Sequence, residues 1–495
     1  MVSDLLEQFK DARNAGTPII SIETPDPGAT IDRLRTVLDG SKPIYEWDAA
    51  RGFVGMNPIA TEECLLWKVE PTAMTNIAVM LKAIFTHTSR ETVVFVHNAH
   101  RYLDNALTVQ AIWNCRDEFK QDLRTLVLLG PIFRLPPELV HDIVALDEPM
   151  PTRDELKEVV NAQYANAKAA PPPPEKVSAI LDAIVGLPRY PAESVLAMSF
   201  TSKKHGVDLD KCWRRKVSAI EQTPGLSVWR GKESLDDLKG LDQVVRFMRQ
   251  LAAADAFGAI VFIDEIEKAL AGGLSDYSGD SGVAKDQIGV LLSYMEDSQS
   301  MGVLYAGLAG CGKTQLAKAT GVACGKPVVK FDLGGMKGSK LGESEKMIRT
   351  ALKMVTATSE GRTLFIATAN NAASFTPELN RRLPDQFFFD LLDADARAQA
   401  WEVYIRKNDL PAQLTPDDEY TGAEIKRVCE RAAMFKIPLV DAAEFVVASA
   451  VSAEDLIDQR RRAAHGRMLS AAKPGLYRMP EAKPRKRGGR EIATN

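Results

Sequence analysis

Over residues 1 to about 150, short β-branched and apolar runs at 18–23, 92–96, 125–129 and 143–146 alternate with stretches of helical spacing. That rhythm predicts an α/β layer with parallel strands. It stops at Ala169-Ala-Pro-Pro-Pro-Pro-Glu175. Four successive prolines remove backbone donors and favour polyproline II, which predicts a linker or an exposed loop. A mostly helical connector, 175 to about 222, leads into a second alternation with apolar runs at 259–263, 302–306, 327–331, 363–367 and 387–390. Helical periodicity dominates from 393 to about 466. The last stretch, ending Lys483-Pro-Arg-Lys-Arg-Gly-Gly-Arg490, is polar and basic, a composition expected to stay disordered. The expected domains are an α/β domain (1–165), a linker and connector (166–232), a second α/β domain (233–392), a helical domain (393–466) and a basic tail (467–495).

The two α/β stretches resemble each other, which marks an internal repeat. Val93-Val-Phe-Val-His-Asn-Ala-His-Arg-Tyr-Leu103 aligns without gaps on Ile260-Val-Phe-Ile-Asp-Glu-Ile-Glu-Lys-Ala-Leu270. Thr125-Leu-Val-Leu-Leu129 likewise echoes Thr363-Leu-Phe-Ile-Ala367, and Pro137-Glu-Leu139 echoes Pro377-Glu-Leu379. The first copy carries His97 and Asn98 where the second has two acids, and Thr24-Pro-Asp-Pro-Gly28 follows its first strand. It is expected to keep the fold and lack the chemistry.

In the second copy the run 302–306 passes directly into Gly307, Leu308, Ala309, Gly310, Cys311, Gly312, Lys313 and Thr314, then a helix opening at Gln315. This is GxxxxGK[ST] in its required strand-to-helix context. Its glycines let backbone N–H groups close around phosphate oxygens, and the helix N-terminus adds partial positive charge. Lys313 would reach the β- and γ-phosphates of ATP, and the Thr314 hydroxyl would hold Mg²⁺. The run 259–263 ends in Asp264-Glu265. Asp264 would bind Mg²⁺ directly or through water, and Glu265 would polarise the attacking water. Asn370, after a third strand, could orient that water or serve as an ordinary turn residue. Arg381 and Arg382 are either a solvated pair or an arginine delivered to a neighbouring subunit's γ-phosphate.

Composition adds limits. A net charge of −4 on 495 residues gives no global field for nucleic acid or an acidic membrane. No run of about 18 apolar residues and no leader pattern is present, so a cytosolic address without membrane insertion is expected. The six cysteines are scattered without a CxxC pair, and His97 and His100 have no further ligands at zinc spacing.

Together these pieces resemble AAA+ ATPases, and more narrowly the plastid and cyanobacterial hypothetical-ATPase group, in which a degenerate AAA-like half precedes a complete one. The likeness covers residues 1 to about 450. It is most specific at Glu233-Ser-Leu-Asp-Asp-Leu-Lys-Gly-Leu-Asp242, Phe262-Ile-Asp-Glu-Ile-Glu-Lys268, Gly342-Glu-Ser-Glu345 and Tyr420-Thr-Gly-Ala-Glu-Ile425. The resemblance implies two P-loop-type parallel-sheet α/β units, a helical lid after the second, Mg²⁺-dependent ATP hydrolysis and a homo-oligomeric ring, usually of six. It also implies adenine contacts near Gly240 and lid contacts near Gly422 and Ala423.

Two departures stand out. Gly335-Met-Lys-Gly338 occupies the place of an aromatic pore residue, leaving Met336 as the group that could grip a client. In the family the Walker A strand comes first, whereas here the acidic block 258–300 precedes it. The transposed chain is still expected to form the usual sheet, with the runs in the spatial order 387–390, 302–306, 363–367, 259–263, 327–331. Each altered crossover keeps its direction across the sheet, and each detour is about 5–10 Å, within reach of two to four extended residues. The expected function is an ATPase whose ring remodels or regulates a protein or nucleic-acid client. The rivals are a nucleotide-gated assembly scaffold with little turnover, and a DNA-associated motor or loader motivated by the basic tail.

Overall fold

The computed structural model describes residues 5–67, 70, 73–201, 206–229, 231, 233–271, 281–298, 300–336, 343–371, 375–413, 415–416 and 419–480. The basic run 483–490 and residues 337–342 lie outside them. The chain divides into two compact units, Met1–Cys212 and Trp213–Asn495. The division therefore falls well after the proline run. The last of those prolines opens the helix Pro174–Ile184, where its missing N–H costs nothing.

The first unit has strands β1 (Ile19–Glu23), β2 (Ile44–Asp48), β3 (Gly52–Gly55), β4 (Val93–Val96), β5 (Thr125–Gly130) and β6 (Val144–Asp147) in the order β3-β2-β4-β5-β1-β6. All pairings are parallel except β2 with β3. The hairpin β2–β3 escaped the sequence reading because Glu46 and Asp48 interrupt the apolar run. They alternate with the buried Tyr45 and Trp47 of a strand with one face inward. A small hairpin, β7 (Phe200–Thr201) with β8 (Gly206–Val207), completes this unit.

The second unit holds β9 (Leu226–Trp229), β10 (Ala259–Ile263), β11 (Met301–Gly307), β12 (Val328–Phe331), β13 (Thr363–Ala369), β14 (Asp385–Phe389) and β15 (Leu469–Ser470). They are ordered β15-β14-β11-β13-β10-β12-β9. The five strands expected from the transposed chain thus lie in the expected spatial order, with β13 between β11 and β10. Strands β10 and β13 are buried at every residue, as a parallel sheet covered on both faces requires. Two edge strands were not anticipated: β9, antiparallel to β12, and β15, parallel to β14. The latter corrects the tail expected from residue 467. Residues 469–470 extend the sheet, the Ala471 N–H donates to the Phe388 carbonyl at 3.1 Å, and the Tyr477 ring packs on Phe388 with centroids 4.5 Å apart.

The first unit supplies the reference for the rearrangement. Matched by position beside its first strand, β6-β1-β5-β4-β2 follows the same spatial sequence as β14-β11-β13-β10-β12, yet its strands are visited in ordinary chain order. In the second unit the short link into β10 is held at the strands' amino ends. Asp255, in a left-handed conformation (φ 44°), faces Lys326 at 3.0 Å, and its carbonyl accepts from Arg362 at 2.8 Å. Gly258 runs so close to the end of the helix Glu343–Ser359 that a Cβ would lie 2.3 Å from the Ser359 carbonyl oxygen.

Helices Ala394–Lys407, Gly422–Phe435, Leu439–Ala443 and Glu454–Ala464 follow the sheet. The first three bury their own small core around Trp401, Ile425, Val428 and Leu439. No helix among the described residues is long and apolar enough to cross a membrane.

Candidate functional site

Three adjacent strands of the second unit deliver the chemistry at their carboxyl ends. β11 enters the turn at Gly307, whose φ of 143° and whose approach to Phe389 leave no room for a side chain: a Cβ would sit 2.1 Å from the Phe389 carbonyl oxygen. Gly310 and Gly312 also have positive φ, and the helix Lys313–Cys324 starts directly behind them. Lys313 is 8% exposed. Its ammonium donates to the carbonyls of Gly307 (2.6 Å) and Leu308 (2.8 Å) and to Asn370 Oδ1 (3.0 Å). Burial pulls its pKa down to about 8.

From β13, Asn370 is held on three sides. Besides accepting from Lys313, its amide nitrogen Nδ2 donates to Glu265 Oε1 at 3.1 Å, and its backbone N–H donates to Glu267 Oε1 at 2.9 Å. From β10, Asp264 accepts the Thr368 hydroxyl at 2.7 Å, and the Glu265 N–H donates to that same hydroxyl at 2.9 Å. Glu265 has φ 50°, a left-handed conformation that costs a residue bearing a Cβ about 1–2 kcal/mol. Its carboxylate pairs with Lys268. That pairing above all, opposed by partial burial and helped by Asn370 and Lys313, holds the carboxyl below its ordinary range.

A cavity of about 440 Å³ connects these groups. Asp264, Glu265, Thr368, Asn370, residues 309–315, Gly422 and Ala423 line it. The lid reaches the turn directly: the Ala423 N–H donates to the Gly310 carbonyl at 3.1 Å, at the start of a helix capped reciprocally by Thr421 and Glu424. Gly307 and Leu308 contribute carbonyls behind Lys313. Gly240 does not line the cavity, but its neighbours Lys239 and Leu241 do, with Asp237 and Leu238. The cavity also takes in Tyr404, Lys426 and Thr368, which the sequence reading did not single out. A threonine at the buried carboxyl end of a strand beside an acidic pair was the available signal for the last.

The remaining candidates lie elsewhere. Arg381 and Arg382 precede β14, and the Arg382 carbonyl lies beside Gly302. Gly302 stands five residues before Gly307, about 17 Å along the strand. Arg382 pairs with Glu296, whereas Arg381 is exposed and has no ion pair among the described residues. Met336, expected to be available for gripping a client, is fully buried in the core beneath the sheet, against Gly225. His97 bonds Glu46 at 3.1 Å, and the described residues hold no metal-like cluster.

The residues fit a magnesium-bound nucleoside triphosphate. Positive-φ glycines and a helix N-terminus form an anion cradle, a buried ammonium lies behind it, and Thr314 with an aspartate lines the same cavity. A parallel sheet in this order, with a phosphate-binding turn, an acidic strand end next but one to it and a helical lid, resembles an ATPase module of the AAA+ class. The comparisons agree. Residues 303–361 match the ATPase family associated with various cellular activities (AAA), and residues 5–148 match the N-terminal domain of SpoVK-like AAA ATPases. The AAA match starts in β11 and ends at residue 361, before β13, where the ordinary order would place the acidic block. Both matches are thus to AAA ATPase models, one in each unit. The chain is similar to the uncharacterized AAA domain-containing protein ycf46 of Guillardia theta, 22% identical over 85% of this chain and 84% of that one. The ycf46 protein of Trieres chinensis is likewise 22% identical, over 83% and 84%. The ATPase histone chaperone abo1 of Schizosaccharomyces pombe is 25% identical over 34% of this chain and 19% of its own length.

Proposed function

We propose that the second unit hydrolyses ATP with Mg²⁺ and that a ring of these chains uses the cycle to remodel or regulate a macromolecular client. The observation that carries this reading is the continuous hydrogen-bonded chain Lys313–Asn370–Glu265–Thr368–Asp264 on three neighbouring strand ends, beside the phosphate cradle. In it Lys313 exchanges a carbonyl for a phosphate oxygen, Thr314 and Asp264 hold the metal, and Glu265 polarises the water that Asn370 helps to place. Magnesium supplies neutralisation of the triphosphate charge. Arg381, exposed and remote from its own chain's cavity, acts on a neighbour's nucleotide. The likeness of about a third of the chain to a relative named a histone chaperone supports a protein client.

Lys313→Ala is expected to lose ATP binding and hydrolysis. Glu265→Gln is expected to keep binding while turnover falls about 10²-fold or more, measured by filter binding and phosphate release. Wild-type hydrolysis by Lys313→Ala would overturn the reading. Burial of Met336 favours one alternative, an assembly scaffold gated by nucleotide and without threading. Single-turnover hydrolysis compared with ATP-dependent light scattering separates the two.

A further inference from the structure

We infer that Thr368 is a positioning residue that sets the metal-holding Asp264 and the water-polarising Glu265 as one unit; this rests on the ATPase reading above. A hydroxyl carries a single proton. Here that proton goes to Asp264 Oδ1 at 2.7 Å, so the oxygen lone pairs are left to accept the Glu265 N–H at 2.9 Å. Thr368 is 1% exposed, so its own hydroxyl is largely shielded, while Asp264 stands exposed at the cavity. The backbone ladder between β10 and β13 ends at the pair Ile263–Ala367. Thr368 is the next residue of β13, and its side chain takes over where the ladder stops. Glu265 turns left-handed at that point, and its carboxylate meets the Nδ2 of Asn370, two residues beyond Thr368 on the same strand. One hydroxyl thus fixes which oxygen of Asp264 is occupied, so that Oδ2 is the oxygen that would be left to hold a metal. It also ties the Glu265 backbone to the strand that carries Asn370.

The first unit distinguishes this role from a need of the turn itself. Asn98, aligned with Glu265, has nearly the same backbone, φ 52°. The residue aligned with Thr368 is Gly130. The left-handed turn therefore forms without a hydroxyl, and the hydroxyl is missing in the copy that also lacks the two acids.

The test uses the full chain with Thr368→Val, Thr368→Ala and Thr368→Ser. Binding of fluorescent ATP is measured in EDTA, Mn²⁺ affinity with ATP by electron paramagnetic resonance, and turnover by phosphate release. Val and Ala are expected to leave metal-free ATP affinity unchanged while Mn²⁺ affinity falls about 10- to 100-fold and turnover drops with it. Ser is expected to restore both. Wild-type Mn²⁺ affinity in the Val and Ala variants would overturn the assignment. So would a proportional loss of metal-free ATP binding, which would mark a purely structural role, or failure of Ser to rescue. Absence of ATP-dependent Mn²⁺ binding in the unsubstituted protein would instead overturn the parent reading, and this inference with it.

Discussion

Lys313 carries its charge in a place that opposes it. Desolvation lowers its pKa from 10.5 to about 8, so the folded apo-site releases this proton before the unfolded chain does. Its contribution to stability therefore rises as pH climbs from about 8 toward 10.5, because the unfolded state binds more protons across that window. A triphosphate reverses the sign at the site, since an anion beside the ammonium favours the charged form. Calorimetry of ATP binding in two buffers of different ionisation enthalpy, in EDTA, is expected to show net proton uptake at about pH 8.5 that shrinks as the pH falls toward about 7.5, below which the terminal phosphate's own proton enters the balance. Equal observed heats in the two buffers at about pH 8.5 would contradict that. At this scale the candidates Lys313, Thr314, Asp264 and Glu265, which line one cavity, were legible, because each belongs to a short motif. Thr368 was not, because its partners stand more than 100 positions away.

Among elements, the two adjacent arginines have opposite settings. Arg382 is tied to Glu296, on the helix Ser281–Asp297 of the transposed block, with the carboxylate side chain 64% exposed. A double-mutant cycle on that pair is expected to give only about 0.2–1 kcal/mol of coupling in thermal or denaturant unfolding. Arg381→Ala is expected to lower turnover about 10³-fold with little change in unfolding. Mixing Arg381→Ala with Lys313→Ala subunits should then recover activity, because a Lys313→Ala neighbour still supplies Arg381; additive rates at every mixing ratio would count against delivery between subunits. The sequence exposed both arginines equally, and only the placement of the helix Ser281–Asp297 told them apart.

For the whole chain, one nucleotide site is expected. In the first unit the turn after β1 is closed by a carboxylate: Glu148 accepts from the hydroxyls of Thr24 and Thr30, and Arg33 approaches it at 3.3 Å. Asp26 caps the helix that follows, so two acids face the region where a phosphate would need positive charge. Titration calorimetry should give one ATP per chain and none in Lys313→Ala; two tight Mg²⁺-dependent sites would refute this. The sequence by itself determined the α/β alternation, the repeat, the degenerate first copy and the phosphate turn. Each of these is written in local spacing, and burial or backbone geometry enforces it within a few residues. It also determined the strand order of the transposed sheet, because crossover handedness and chain reach leave little choice once the strands are known. The tertiary structure alone decided three things: that residues 469–470 join the sheet, that Met336 turns inward, and that a threonine on one strand hydrogen-bonds both Asp264 and the Glu265 N–H on the next. The physical reason is common to all three. An edge pairing, a buried side chain and a bond between strands depend on partners brought close only by the packed sheet, and no spacing along the chain encodes them.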